Sequence, residues 1–507
     1  MTIITKKAMG WGKALSYLLG VMLACAATSA WAADVAVSAK SPALIPAPRE
    51  IVLTGGACAS VANLKIERVA GIPAEGYELS VKPDGVTIRA FDKAGEFYAL
   101  QTLAQLKEGD TLPCCEIKDS PRFKWRGLQL DDVRHFMGKE TVKRIIDEMA
   151  KYKLNVFHWH LTDDPSWRID VPGYPKLLDY GDQCRISRGQ KPMDNGPRAG
   201  GRYYTDGDIR EILAYAAERH VTVVPEIEFP GHFLSVLCAY PEFACNPEGV
   251  NKMKRIPMVC GVQREVMCVG NPDAVKFVEA ALDKVCELFP SKIIHIGGDE
   301  CPRKAWETCP KCQALMKREG LQDIGDIQTW LTCHVVEYLA KKGRRAIGWD
   351  EMLEVKEGAL PVSTMGMRWL PGAMDRVVRA AKAGHEIVNC PHAFCYFDFK
   401  QGLAEDKHRY MGRRHIPLKT AYLYDPLAGL PKEFHGKIVG GQCCNWTEFT
   451  STLSELEWKM WPRTLATAEV LWTYPDPKKR NFADFERRAK IRRDDMVARG
   501  FNAAPIK

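Results

Sequence analysis

The sequence predicts an α/β fold: a TIM-type (β/α)8 barrel preceded by a small α/β domain. From Phe123 onward, short apolar segments with strand character recur, separated by amphipathic helices or long connections. Residues 34–119 follow another rhythm, with alternating segments before one helix-spaced stretch. No Gly-rich phosphate loop follows the first barrel strand, which weighs against the doubly wound open sheet, the alternative for alternating strands and helices.

Taken in order, residues 1–32 read as a secretory signal peptide. Lys6, Lys7 and Lys13 form a positive start, and Ala14–Ala27 is apolar but too short to span a bilayer comfortably. Ala30-Trp31-Ala32 supplies a small-x-small cleavage pattern. The expectation is export, to the periplasm or medium, with no stable membrane span once the leader is gone. Lipid attachment at Cys25 is a minor alternative, because the residue three before it, Met22, suits that signal poorly.

In residues 34–119, Tyr77–Val81 and Gly85–Ala90 alternate as strands around the turn Pro83-Asp84-Gly85. Ala94–Leu106 has helical spacing, and Asp119-Ser120-Pro121 marks a boundary. The barrel then occupies 120–480. Its candidate strands are Gly127–Leu130, Val156–His160, Thr222–Pro225, Ile293–Ile296, Arg345–Gly348, Ser363–Met367, Glu386–Asn389 and Lys437–Gly441. Thr141–Lys151, Asp206–Glu218 and Asp273–Leu288 are connecting helices. Tyr180–Tyr204 reads as a long loop at the barrel mouth, Phe399–Asp425 as a second irregular stretch, and 481–507 as a helical tail.

The formal charge is +8, and loss of the three leader lysines, with no acids, leaves +5. Basic residues are scattered; Arg413, Arg414 and His415 make only a short cluster. No electrostatic footprint for nucleic acid is present. Eighteen cysteines are unusual, and removing Cys25 leaves an odd number. Export permits disulfides, but the adjacent pairs Cys114-Cys115 and Cys443-Cys444 suggest no framework.

Barrels of this type build their active sites at the C-terminal ends of the strands. Here those ends carry Asp132, Arg134 and His135; His160, Asp163 and Asp164; Glu226, Glu228 and His232; then Asp299 and Glu300. Trp349 and Asp350, Trp369, Tyr396 and Asp398, and Trp446 and Glu448 follow the later strands. Carboxylates with flat aromatic rings suit a sugar, which has apolar C–H faces and a hydroxyl rim. Of the three Asp-Glu pairs, Asp147-Glu148 lies in a helical pattern, where a solvated face is the simpler explanation. Asp299-Glu300 differs because Gly297-Gly298 ends an apolar strand. Successive strand residues point to opposite faces, so two adjacent carboxylates share a pocket only where the chain turns, which the glycines permit.

Four motifs carry a resemblance: His295-Ile296-Gly297-Gly298-Asp299-Glu300, Asp131-Asp132-Val133-Arg134-His135-Phe136, His158-Trp159-His160-Leu161-Thr162-Asp163-Asp164, and Pro225-Glu226-Ile227-Glu228-Phe229-Pro230-Gly231-His232. In kind and order they resemble the family 20 β-N-acetylhexosaminidases, over roughly residues 40–480. The resemblance implies exo-acting removal of terminal β-linked N-acetylhexosamines from a glycan or glycoconjugate, by a retaining, substrate-assisted mechanism. It implies Glu300 as general acid, with a raised pKa, and an ionised Asp299 that orients the acetamide N–H and faces the developing positive charge.

By position, the resemblance assigns Arg134 to outer hydroxyls; a structural ion pair is its plainer reading. Trp349, Trp369 and Trp446 should enclose the acetamido group and stack the ring, though singly each reads as core. Tyr396 should donate to the acetamide oxygen, and Asp398 and Glu448 should contact the acetamide or hydroxyls. Asp163, Glu228 and His232 should support the acid; the family commonly has Asp where Glu228 stands. His160 reads as a satisfied core residue. A disaccharide-releasing relative and a silent glycan binder are the alternatives. No cofactor is expected. Cys309-Pro310-Lys311-Cys312, with Cys301 nearby, looks like half a zinc site without a second CxxC half. Structural thiols or a disulfide are the first expectation, a metal clip the second.

Overall fold

The computed structural model describes residues 42–59, 63–107, 109–180, 202–253, 261–354, 358–404, 406–412, 414–473 and 480–506. The expected leader with Cys25, most of the expected Tyr180–Tyr204 loop, and Arg413 lie outside the described residues. Residues 43–507 make one compact unit.

The small domain is a five-stranded sheet. Its strands are β1 (Glu50–Cys58), β2 (Leu64–Arg68), β3 (Tyr77–Lys82), β4 (Gly85–Ala90) and β5 (Leu112–Asp119), in the order β1-β5-β3-β4-β2. Helix Lys93–Leu106, capped by Asp92 accepting from the Gly95 N–H, buries Tyr98, Ala99 and Leu103 against it. The turn between β3 and β4 and the helix match the sequence expectation.

The small domain is seated on the barrel through buried polar contacts. Lys153 Nζ donates to Asp119 Oδ2 at 2.9 Å, and Trp472 Nε1 to Asp119 Oδ1 at 2.9 Å. Arg126 reaches back to Glu75 at 2.6 Å.

The barrel strands are β6 (Trp125–Asp131), β7 (Val156–His160), β10 (Thr222–Glu226), β11 (Ile293–His295), β12 (Arg345–Trp349), β13 (Met365–Arg368), β14 (Ile387–Asn389) and β15 (Ile438–Asn445). They close in that order, every neighbour parallel, β15 returning to β6. A two-residue hairpin, β8 (Thr162–Asp163) and β9 (Ser166–Trp167), follows β7. Each candidate strand is present; Val156–His160 matches at both ends, and no end elsewhere is shifted by more than four residues.

The barrel interior is partly polar. Glu226, the last residue of β10, accepts from Trp349 Nε1 at 2.7 Å and lies 2.8 Å from His295 Nδ1. It also lies 3.0 Å from His158 Nε2 and 2.5 Å from His160 Nδ1. Burial alone raises the Glu226 carboxyl, but the surrounding histidines outweigh it and hold it well below the usual range.

The C-terminal helix Phe482–Ala498 is docked, with Phe485 stacked on Tyr422 and Arg488 paired with buried Glu469 at 2.7 Å. One expectation fails in the helices: Glu148 faces no solvent but is buried, clasped by both terminal nitrogens of Arg499. The helical pattern could not register a cap arriving from the far end of the chain.

Candidate active site

The site is organised by the turn that ends β11. Gly297 and Gly298 take φ of +58° and +95°, and Glu300 itself takes +47°. These left-handed residues swing the chain off the strand, so that Asp299 and Glu300 face one cavity. The Glu228 carboxylate occupies the space a side chain at Gly297 would need, and accepts from the Gly298 N–H at 3.3 Å. Across the pocket His232, also left-handed at +47°, presents Nε2 to Asp299 at 3.6 Å and to Glu300 at 3.5 Å.

The cavity holds about 270 Å3 at the C-terminal ends of the strands. Arg134, Asp299, Glu300, Trp369, Tyr396, Asp398, Trp446 and Glu448 line it, as the sequence reading requires of them, and His232, expected only to support the acid, lines it too. The Trp369 and Tyr396 rings are nearly parallel, 10° apart with centroids at 6.0 Å, and Trp446 stands 6.1 Å from Tyr396. The Arg134 guanidinium sits over the Trp446 ring and pairs with Asp163 at 2.7 Å, so its ion-pair and pocket readings both hold. Asp299 Oδ1 and Asp398 Oδ1 are buried with no hydrogen-bond partner among the described residues. A larger cavity of about 830 Å3 lies at the opposite end, against the starts of the strands, including Trp125, Val156 and Ile293. The chemistry-bearing strand ends are not there.

Trp349 departs from its expected place. It is fully buried one layer beneath the cavity, its indole N–H spent on Glu226, and it supports Trp446 at 5.8 Å. As the last residue of β12 it points into the barrel. Asp163 and Glu228 are likewise behind the wall. His160, read as a core residue, is buried but bridges Glu226 and Asp163, with Nε2 2.9 Å from Asp163 Oδ2. Its i,i+3 spacing to Asp163 was the available signal. His392, Phe399 and Met411 complete the lining without any motif to announce them. Glu351, from the third Asp-Glu pair, anchors Trp369 by accepting from its indole N–H at 3.0 Å.

The charges run against the simple assignment. Burial raises Asp299, with Glu226 and Glu300 adding to it and His232 opposing. Glu300 is lowered, chiefly by its hydrogen bond to His232. Burial alone would lower His232, but Asp163 foremost, then Asp164 and Glu300, raise it well above the usual histidine value. In the open cavity the Glu300–His232 pair therefore holds one proton on the imidazole, with Glu300 ionised. Moving that proton to Glu300 converts an ion pair into a neutral pair, the form that desolvation by a bound ligand favours. The pair supplies one proton in either form. Asp398 and Glu351, buried beside other carboxylates, are each pushed up to about 8.

Comparison with known proteins agrees with this geometry. The profile described as "Glycosyl hydrolase family 20, catalytic domain" matches residues 123–475, and that of "domain 2" matches 47–120. The chain is similar to a β-hexosaminidase of Porphyromonas gingivalis, 38% identical over 82% of this chain and 52% of that one. It is similar to one of Akkermansia muciniphila, 32% identical over 85% of this chain and 86% of that one. It spans about half the length of the first relative and 64% of a β-hexosaminidase of Vibrio furnissii. A solved β-N-acetylhexosaminidase of Bacteroides fragilis superposes with a TM-score of 0.77 at 28% identity, covering 91% of this chain and 97% of that one. With profile, relatives and fold in agreement, the chain belongs to glycosyl hydrolase family 20.

Proposed function

We propose that this chain is an exo-acting β-N-acetylhexosaminidase, releasing terminal non-reducing β-linked GlcNAc or GalNAc with retention of configuration. The observation that carries the reading is the pairing of a carboxylate oxygen on Asp299 that has no partner among the described residues with a Glu300 carboxylate 3.5 Å from His232 Nε2, both facing one aromatic-walled cavity.

In the first step the 2-acetamido carbonyl oxygen of the substrate attacks C1 as the C1–O bond to the leaving group breaks. Glu300 gives its proton to the departing oxygen, and His232 keeps the acid supplied. Asp299 receives the acetamide N–H and faces the positive charge of the oxazolinium. In the second step Glu300 takes a proton from water, which attacks C1 and reopens the ring. Trp369, Tyr396 and Trp446 wall the ring and acetamide, with the Tyr396 hydroxyl directed to the acetamide oxygen. Arg134, Asp398 and Glu448 meet the hydroxyl rim.

The cavity formed by the described residues, about 270 Å3, has room for one sugar. The partner is a glycan or glycoconjugate ending in N-acetylhexosamine. Among the described residues no helix is long and apolar enough to cross a membrane. We include export in the proposal, with the mature chain starting near Ala33, on the strength of the leader pattern.

The test is turnover of the aryl N-acetylglucosaminide and N-acetylgalactosaminide, with the first-formed anomer followed by NMR. Release of β-configured sugar is expected. Release of the α-anomer contradicts retention, and folded protein without turnover on either substrate favours the binder.

A further inference from the structure

Beside the loops that carry the site, four cysteines from three separate segments converge. Cys245 follows the short turn Pro241–Phe243, and Cys268 precedes Asn271, the cap of helix Pro272–Leu288. Cys309 and Cys312 flank the first turn of helix Pro310–Glu319. The sulfurs of Cys268 and Cys309 are 3.5 Å apart, those of Cys268 and Cys312 3.7 Å, and those of Cys245 and Cys312 3.8 Å. All four lie within 4.8 Å of one another.

These separations decide between the chemistries open to four thiols. A disulfide needs sulfurs at about 2.05 Å. Four thiolates around zinc, each at about 2.3 Å from the metal, stand roughly 3.8 Å apart at the corners of a tetrahedron. The observed spacing fits the second arrangement. We propose that Cys245, Cys268, Cys309 and Cys312 form a closed, structural tetrathiolate zinc site.

The surrounding frame is built for it. Cys268 N–H donates to Phe243 O at 2.7 Å, and Ala244 and Met267 form an antiparallel bridge, so the segments of Cys245 and Cys268 run as a fixed pair. Trp306 Nε1 donates to Met267 O at 2.9 Å, tying in the Cys309 segment. Gly270 lies where a Cβ would stand 2.5 Å from Cys312 N, so only glycine permits the approach. Its N–H donates to Cys312.

On binding, four Zn–S bonds form and the four thiols release their protons to solvent, leaving a net charge of −2 on the site. No electron moves and no coordination position stays open, so the role is mechanical. The clip joins the loop after β10, which carries His232, to the segment following Asp299 and Glu300. Those two loops already touch: a Cβ at Gly231 would stand 3.1 Å from Cys301 Cα and 3.3 Å from Asp299 O. Cys301 itself is outside the tetrad. The spacing Cys309-x-x-Cys312 shows half of the site, and the other half comes from cysteines far apart in sequence, beyond the reach of a motif.

The full chain, purified without chelator and dialysed, is expected to contain zinc equimolar with protein by elemental mass spectrometry. Titration with an organomercurial should release it to a chromogenic chelator. Cys312→Ser should lose the metal and melt earlier, whereas Cys286→Ser, outside the tetrad, should keep it. Because ligand loss can prevent folding, cobalt exchange into the wild-type chain gives an independent readout. An intense thiolate-to-cobalt band with tetrahedral d–d bands supports the site. Folded, active protein free of metal, iron in place of zinc, or disulfides among the four cysteines overturns it.

Discussion

In the proposed mechanism Glu300 meets the leaving group and Asp299 the acetamide, and the two differ in what they demand of a neighbour. Glu300→Gln keeps shape and removes the proton, so activity on poor leaving groups should fall about 10²-fold or more. Aryl substrates whose leaving group needs no proton should lose less in the first step; equal losses on both kinds contradict the acid role. The pH profile of kcat/KM should be bell-shaped, with signs set by the two shifts. Asp299 is raised, so the acid limb should lie above the ordinary Asp value of about 3.9. His232 is raised, so the pair keeps its proton to higher pH and the alkaline limb should lie above about 6.5. Asp163 is the leading charge raising His232, so Asp163→Asn should move the alkaline limb toward acid. An unmoved limb removes His232 from the proton's path.

Among the elements, the turn after β11 shows what a sequence discloses and what it withholds. Two glycines closing an apolar strand before Asp-Glu announced the turn, because period-two geometry forbids adjacent side chains one face without it. His232, Tyr396 and Trp446 were legible because they follow the C-terminal ends of the barrel strands, where such barrels build their sites. Trp349 was not: its indole is turned inward by Glu226, a contact between strands that no local pattern encodes. Nor were β1 and β5, where Gly55 and Gly56 break the alternation in β1 and Cys114-Cys115 buries two successive residues in β5. Gly297→Ala tests the turn directly. A Cβ there collides with the Glu228 carboxylate and forces L geometry at φ +58°. Loss of about 1–3 kcal/mol in chemical denaturation is expected, with a fall in kcat. Unchanged stability would show that the turn relaxes freely.

At the scale of the whole molecule, the small domain and barrel meet through buried charge. Lys153→Ala strands Asp119 in that interface and should destabilise the chain by roughly 3 kcal/mol, read as one cooperative transition. A separate early transition for the small domain would show the two folding independently. On the proposed reading, the strand ends of the barrel hold one sugar's acetamide against Asp299, with no protein nucleophile at C1. That claim is tested most directly by comparing matched aryl glycosides with and without the 2-acetamido group, alongside inhibition by a stable thiazoline mimic of the cyclised intermediate. The N-acetylglucosaminide should turn over, the plain glucoside negligibly, and the thiazoline should bind far more tightly than substrate. Comparable hydrolysis of the glucoside, or a glycosyl ester trapped on a protein carboxylate, would contradict it.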